Sequence, residues 1–153
     1  MNLKVKQLDK LAIIPGYAKL GDAGLDLYTL EDTKIPAKST VAIRTGLAFE
    51  IEEGYEMQVR PRSGISLNGV KVLVAGVEIS LRLRVILGTI DSGYRGEVCI
   101  ITENPYDLDV VVKADTKLAQ GVINKVERVH IQLVDELTVS ERGEGGFGST
   151  GIN

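Results

Sequence analysis

Cysteine is nearly missing from this chain: Cys99 is the only one in 153 residues. A single thiol excludes an internal disulfide and fits a reducing compartment. Histidine is equally scarce. His130 has no second metal-ligand residue at suitable spacing, so it reads as structural rather than catalytic. No apolar run approaches the length of a membrane-crossing helix. Met1 opens directly into alternating residues rather than a secretory signal, and the expected location is the cytoplasm. Surplus charge is absent as well. With 18 Lys and Arg against 21 Asp and Glu, the net charge of −3 offers no electrostatic reason to bind nucleic acid or a membrane surface. No segment carries a 3.6-residue apolar stripe, so helix should be scarce, and no linker divides the chain into two domains.

What remains is a period of two. Leu3, Val5 and Leu8 begin it, and runs at 40–44, 47–51, 55–60, 70–75, 77–85, 98–102, 108–112, 118–126 and 130–134 continue it. In the run 77–85, Val77, Ile79, Leu81, Leu83 and Val85 alternate with Glu78, Ser80, Arg82 and Arg84, the pattern of a strand with one wet face. Turn signals at Glu53-Gly54, Asn68-Gly69 and Asn104-Pro105 punctuate these runs at short intervals. Many short strands at this spacing predict an all-β fold, as a sandwich, jelly roll or barrel. Cys99 reads as a small core hydrophobe within one of them. The last stretch, 141–153, is Gly-rich, cannot pack a core of its own, and is set apart from 1–140 as a flexible arm. Its segment Gly143–Thr150 nearly fits a P-loop, but Ser149 stands where the lysine belongs and no strand-to-helix transition surrounds it.

Five stretches carry chemistry. Asp22–Tyr28 (DAGLDLY) places Asp26 at a strand start, where an Asp is by default a turn residue. Arg60–Gly64 (RPRSG) joins two arginines, a hydroxyl and a glycine, a set suited to oxyanions. Gly88–Glu97 (GTIDSGYRGE) holds a carboxylate, an aromatic ring and a cation at fixed offsets around a turn. Gln120 within KLAQGVI is an edge amide or a ligand donor. The tail supplies Arg142, a glycine run, Phe147, Ser149 and Thr150, the makings of a phosphate grip.

In this order, DAGLDLY, RPRSG, GTIDSGYRGE, KLAQGVI and RGEGGFGSTG resemble the five successive motifs of the trimeric dUTPase family, over nearly the whole chain. The resemblance implies a β jelly roll assembled as a homotrimer with shared active sites. The implied reaction is Mg²⁺-dependent hydrolysis of dUTP to dUMP and pyrophosphate, which keeps uracil out of DNA and supplies dUMP for thymidylate synthesis. It further implies that Asp91 activates the attacking water and contacts the sugar, and that Tyr94 lies under the deoxyribose. The backbone of Gly88, Thr89 and Ile90 would read uracil. Arg62, Ser63 and Gly64 would hold phosphates, Gln120 the α-phosphate, and Asp26 would act on Mg²⁺ through its water. From the arm, Arg142, Gly148 and Ser149 would grip the γ end while Phe147 stacks on the base.

One region departs from the family pattern. The connection Asn68–Leu87 is longer by a strand or hairpin's worth, and Val85 sits where the family often has a uracil-binding Asn. Either the extra sheet leaves the pocket intact, or it alters base preference or offers a surface (68–81) to a protein partner. Two other functions stay open: a dCTP deaminase-type enzyme on the same fold, and a nucleotide-switched regulatory protein. The deaminase needs a glutamate facing the pocket from the strand after the aromatic turn, and Glu103 is expected at that strand's far end.

Overall fold

In the computed structural model, residues 2–145 are described. The strands are β1 Lys4–Gln7, β2 Gly24–Tyr28, β3 Thr33–Ile35, β4 Thr40–Glu50, β5 Tyr55–Pro61, β6 Val70–Val74 and β7 Val77–Leu81. They continue as β8 Arg84–Val85, β9 Gly88–Asp91, β10 Glu97–Glu103, β11 Val110–Val112 and β12 Lys117–Lys125. One short helix, α1 Ser63–Asn68, interrupts them. The strands form three four-stranded antiparallel sheets, in the orders β1-β4-β10-β8, β3-β11-β6-β7 and β2-β12-β5-β9. The all-β fold expected from the period-two pattern forms, in the jelly-roll-like arrangement that the resemblance implies.

The alternation fills the centre. Val98, Ile100 and Thr102 of β10 are fully buried, and Val98 and Ile100 share one core cluster with Ile43, Leu47 and Phe49 of β4 beside them and with Leu27, Met57 and Val59 of the sheet β2-β12-β5-β9. Each large side chain removed from water in this way contributes about 1.5–3 kcal/mol before entropy is counted.

Four details differ from the sequence reading. The runs 40–44 and 47–51 are one strand, β4, which passes Gly46 at φ 71 where the β4–β10 register shifts between Glu97 and Cys99. A bulge absorbs the break without ending the strand. After RPR comes the single helical turn and a half of α1, too short to show a helical period. The run 77–85 divides into β7 and β8, because Leu83 and Val85 enter the core while Val77 and Ile79 remain 63% and 36% exposed. The run 130–134 pairs with no strand among the described residues, and His130 is exposed.

The extra connection is an integral hairpin. Ala75 and Gly76, at φ 48 and 83, make the two-residue turn between β6 and β7 that matches strand twist. β6 also pairs with β11 and buries Val70 and Val72, so half of the insertion belongs to the core. Val85 is only 9% exposed and directly opposes Thr102. It belongs to the core cluster and also lines a cavity with Leu83, Leu87 and Tyr106.

Candidate active site

The sheet β2-β12-β5-β9 positions the chemistry. Register places Gln120 opposite Asp26 on one side and opposite Arg60 on the other. After Pro61 the chain turns into α1, bringing Arg62, Ser63 and Gly64 beside that row. Asp26, Arg62, Ser63, Gly64 and Gln120 line one cavity of about 280 Å³. Gly64 leaves it open: a Cβ added there would meet nothing within 4 Å.

Asp26 organises this cavity. It is 7% exposed, and a carboxylate so far from water requires charged or hydrogen-bonding partners. Arg62 Nε lies 3.1 Å from Oδ1 and Lys117 Nζ 2.8 Å from Oδ2. Lys117 also sits 5.5 Å from the centre of the Tyr28 ring. The Asp26 carboxylate, with help from the Tyr28 hydroxyl, holds the Lys117 ammonium above the usual lysine range. Arg62 reaches further to the backbone carbonyl of Lys117. Lys117 was missed in the sequence; its only signal is its place three residues before Gln120. Gln120 donates from Nε2 to the Pro61 carbonyl at 3.0 Å, which leaves its second amide proton for a ligand oxygen.

A second cluster forms at the other end of the sheet. Asp91 ends β9, and its carbonyl accepts from Tyr94 N–H at 3.0 Å to close a tight turn. Arg95 braces this turn by donating from Nη1 to the carbonyls of Ser92 and Tyr94. Thr89, Ile90, Asp91 and Tyr94 line a cavity of about 390 Å³ together with Glu97, Cys99 and Ile101. The Tyr94 hydroxyl donates to the Glu97 carbonyl at 3.1 Å, laying the ring along its own turn. Cys99 is therefore not a core residue. Strand alternation turns Val98 and Ile100 inward and Cys99 to the cavity, a signal already present in the period of two. Burial, and then the Glu97 charge, push its thiol above the usual range. The Glu97 carboxylate is committed to Arg44 Nε at 3.1 Å and to Gly46 N–H at 2.8 Å. Glu103 stands at the far end of β10, paired with Arg84 at 3.4 Å, and lines neither cavity.

The two clusters are separate within one chain. Asp91 opposes Glu56 while Gln120 opposes Arg60, four residues along β5 and two strand spacings apart. At about 3.3 Å per residue and 4.8 Å per strand, their Cα atoms lie about 16 Å apart. Arg142, from the arm, donates to the Gly145 carbonyl at 2.7 Å and lines neither cavity. Phe147, Gly148 and Ser149 lie outside the described residues.

A family model described as dUTPase matches residues 10–151. The chain belongs to the dUTPase family. A deoxyuridine 5'-triphosphate nucleotidohydrolase of Clostridioides difficile is 46% identical, with 99% of each chain covered. One from Clostridium acetobutylicum is 45% identical, with 99% of this chain and 98% of that one covered. Among solved structures, the dUTPase of Staphylococcus bacteriophage 80alpha with dUPNHPP superposes at a TM-score of 0.85, with 28% identity and 99% of both chains covered. For this member of the dUTPase family, the motif residues resolve into a phosphate-type cradle and an aromatic turn.

The cradle also bears on metal. Among the described residues, no group of three His, Cys, Asp or Glu could cage an ion. Asp26, however, has lone pairs beyond its two ion pairs and lies on the cavity wall. That donor set fits a Mg²⁺ that keeps its water shell and is held mainly by a substrate's phosphates.

Proposed function

We propose that the protein hydrolyses dUTP to dUMP and pyrophosphate in active sites shared between the subunits of a homotrimer. The carrying observation is the distance of about 16 Å between Asp91 and Gln120 on one sheet. A base and an α-phosphate ligand must both come within hydrogen-bond reach of the same reacting centre. Side chains of one chain cannot close that gap, whereas the cradle of one chain facing the aromatic turn of another can. The stretch after β12 supports the same assembly. Val129, Ile131, Leu133, Leu137 and Val139 are 79–100% exposed at every second position or a multiple of it, an apolar face that needs a cover. A neighbouring subunit supplies that cover, and the arm 141–153 continues onto that neighbour's site.

Asp91 accepts the proton of a water whose oxygen attacks the α-phosphorus in line, and the bond to the bridging oxygen breaks to release pyrophosphate. Tyr94 lies against the deoxyribose and leaves no space for a 2′-hydroxyl. The backbone of Gly88, Thr89 and Ile90 reads uracil. Arg62, Ser63 and Gly64 hold phosphate oxygens, and Gln120 donates its remaining amide proton to the α-phosphate. Asp26 keeps Arg62 aimed at the cavity and would hold Mg²⁺ through its water, an ion that would supply neutralisation of phosphate charge. Arg142, Gly148 and Ser149 close on the γ end, and Phe147 stacks on the base. The cellular setting is the cytoplasm. Pyrophosphate release measured with each dNTP and with UTP is the test; failure to turn over dUTP with Mg²⁺ would sink the proposal.

The deaminase reading is disfavoured by Glu103, whose ion pair with Arg84 keeps it away from the aromatic turn. A switched, partner-binding role has one observation in its favour: β7 is a sheet edge with Val77 and Ile79 exposed. The phage structures with dUPNHPP carry the description that phage dUTPases control transfer of virulence genes by a proto-oncogenic G protein-like mechanism. If hydrogen exchange at β7 is the same with and without dUPNHPP, this surface is not governed by nucleotide.

A further inference from the structure

Gly24 stands on the same face of β2 as Asp26, diagonally across from Gln120 on β12. It is buried and adopts no left-handed backbone angle, so an alanine could take the same conformation. What forbids a side chain is space. A Cβ at Gly24 would overlap Gln120 Oε1 outright and lie 2.9 Å from both Cβ and Cδ of Gln120. Real Cβ atoms essentially never approach a neighbour below 3.0 Å, so either Gln120 or the strand must move.

The Gln120 side chain thus occupies the space that a side chain at Gly24 would take, with Oε1 nearest that position and the amide nitrogen on the Pro61 carbonyl. These two contacts hold the side chain against β2 and tie its nitrogen to the Pro61 carbonyl. We infer that Gly24 is a positioning residue: its missing side chain is the seat that aims Gln120 into the phosphate cradle. By contrast, a Cβ at Gly64, in the same cavity, meets nothing. One glycine keeps space for ligand and the other keeps space for the side chain that reaches the ligand. The consequence for turnover rests on the dUTP reading above, but the steric claim does not.

The test compares the full chain with Gly24→Ala, Gln120→Gly and the double variant. Pyrophosphate release from dUTP, melting temperature and the Gln120 side-chain amide resonance, identified by its loss in Gln120→Gly, are measured for each. Gly24→Ala should lower kcat on the order of 10²-fold, as a misplacement of about 1 Å does. Gln120→Gly should cost a similar factor, and the double variant should be no worse than Gln120→Gly alone. The Gln120 amide resonance should shift in Gly24→Ala whether or not dUTP is the substrate. If Gly24→Ala fails to fold, Gln120→Gly in the same chain, which removes the Cβ 2.9 Å from the new methyl as well as the amide, should restore the fold. An unshifted resonance, losses that multiply in the double variant, or a double variant that stays unfolded would each overturn the inference. Wild-type protein inert toward dUTP would instead sink the functional reading, leaving the resonance to judge the seat.

Discussion

Arg62 and Asp26, on the wall of the cavity that Gln120 also lines, are joined at 3.1 Å, and Lys117 takes the other carboxylate oxygen at 2.8 Å. Asp26 is nearly buried and Arg62 is about one-third exposed, so this pair is less screened than a surface bridge. Asp26→Asn would leave two cations facing a neutral amide. Arg62 should lose its fixed direction, and KM for dUTP should rise while the fold persists. Arg62→Ala removes a phosphate donor and should cost about 10²-fold in kcat/KM, the scale for one oxyanion-stabilising group. Wild-type kinetics in either variant would show that the cradle does not hold phosphate.

Asp91→Asn keeps the shape of the turn, whose closing bond runs between backbone atoms. It removes the proton acceptor and should lower kcat by about 10²–10⁴-fold with little change in dUTP affinity. Titration with dUPNHPP separates the two effects.

Gly96 has the same relation to Tyr94 that Gly24 has to Gln120. A Cβ there would lie 2.5 Å from Tyr94 Cζ and 2.9 Å from Cε2. Gly96→Ala should push the ring off its bond to the Glu97 carbonyl and weaken discrimination between dUTP and UTP. The ratio of kcat/KM for the two nucleotides is the readout, and an unchanged ratio would contradict the placement of the ring under the sugar.

Cys99 lines the cavity beside Asp91 and Tyr94, and burial holds its thiol above the usual range. Less of it is thiolate at neutral pH, so alkylation by iodoacetamide should be slower than for a free thiol. Saturating dUPNHPP should slow it further. A rate indifferent to nucleotide would mean that the cavity does not take the substrate.

Acid should reveal two surface straps. Asp32 is held below the usual carboxylate range first by Lys113 and then by the Ala114 N–H, and Asp109 first by Lys34 and then by the Ala37 N–H. A lowered folded-state pKa contributes stability above the ordinary carboxylate value, and that contribution is lost as pH falls through the folded value. Asp32→Asn and Asp109→Asn should therefore lower the melting temperature at pH 7 and flatten its fall below about pH 4. Variants whose acid profile parallels the wild type would show that these contacts are not formed in solution.

Most strands were legible because burial enforces alternation: β5, β10 and β12 coincide closely with apolar-alternating runs. Less was legible where a residue's partner lies far along the chain. Glu97 reads as a surface acid until Arg44 and Gly46 are brought beside it across the β4 bulge. Lys117 reads as a strand-end charge until β2 delivers Asp26 and Tyr28. The place of Val85 is hard to read because register cannot be counted through an insertion; its pairing with Thr102 sets it in the core cluster, at the wall of a cavity. The exposed alternation after Val126 looks like a strand because it has the composition of one, but among the described residues no strand edge receives it.

The central claim is that Asp91 of one subunit serves the cradle of another. Asp91→Asn and Arg62→Ala chains, each nearly inactive alone, can be unfolded together and refolded as a mixture. In a trimer whose sites pair different chains, about a quarter of the sites then combine an intact turn with an intact cradle, and dUTP turnover returns to about that fraction of wild type. A mixture no more active than its two parents would contradict the account.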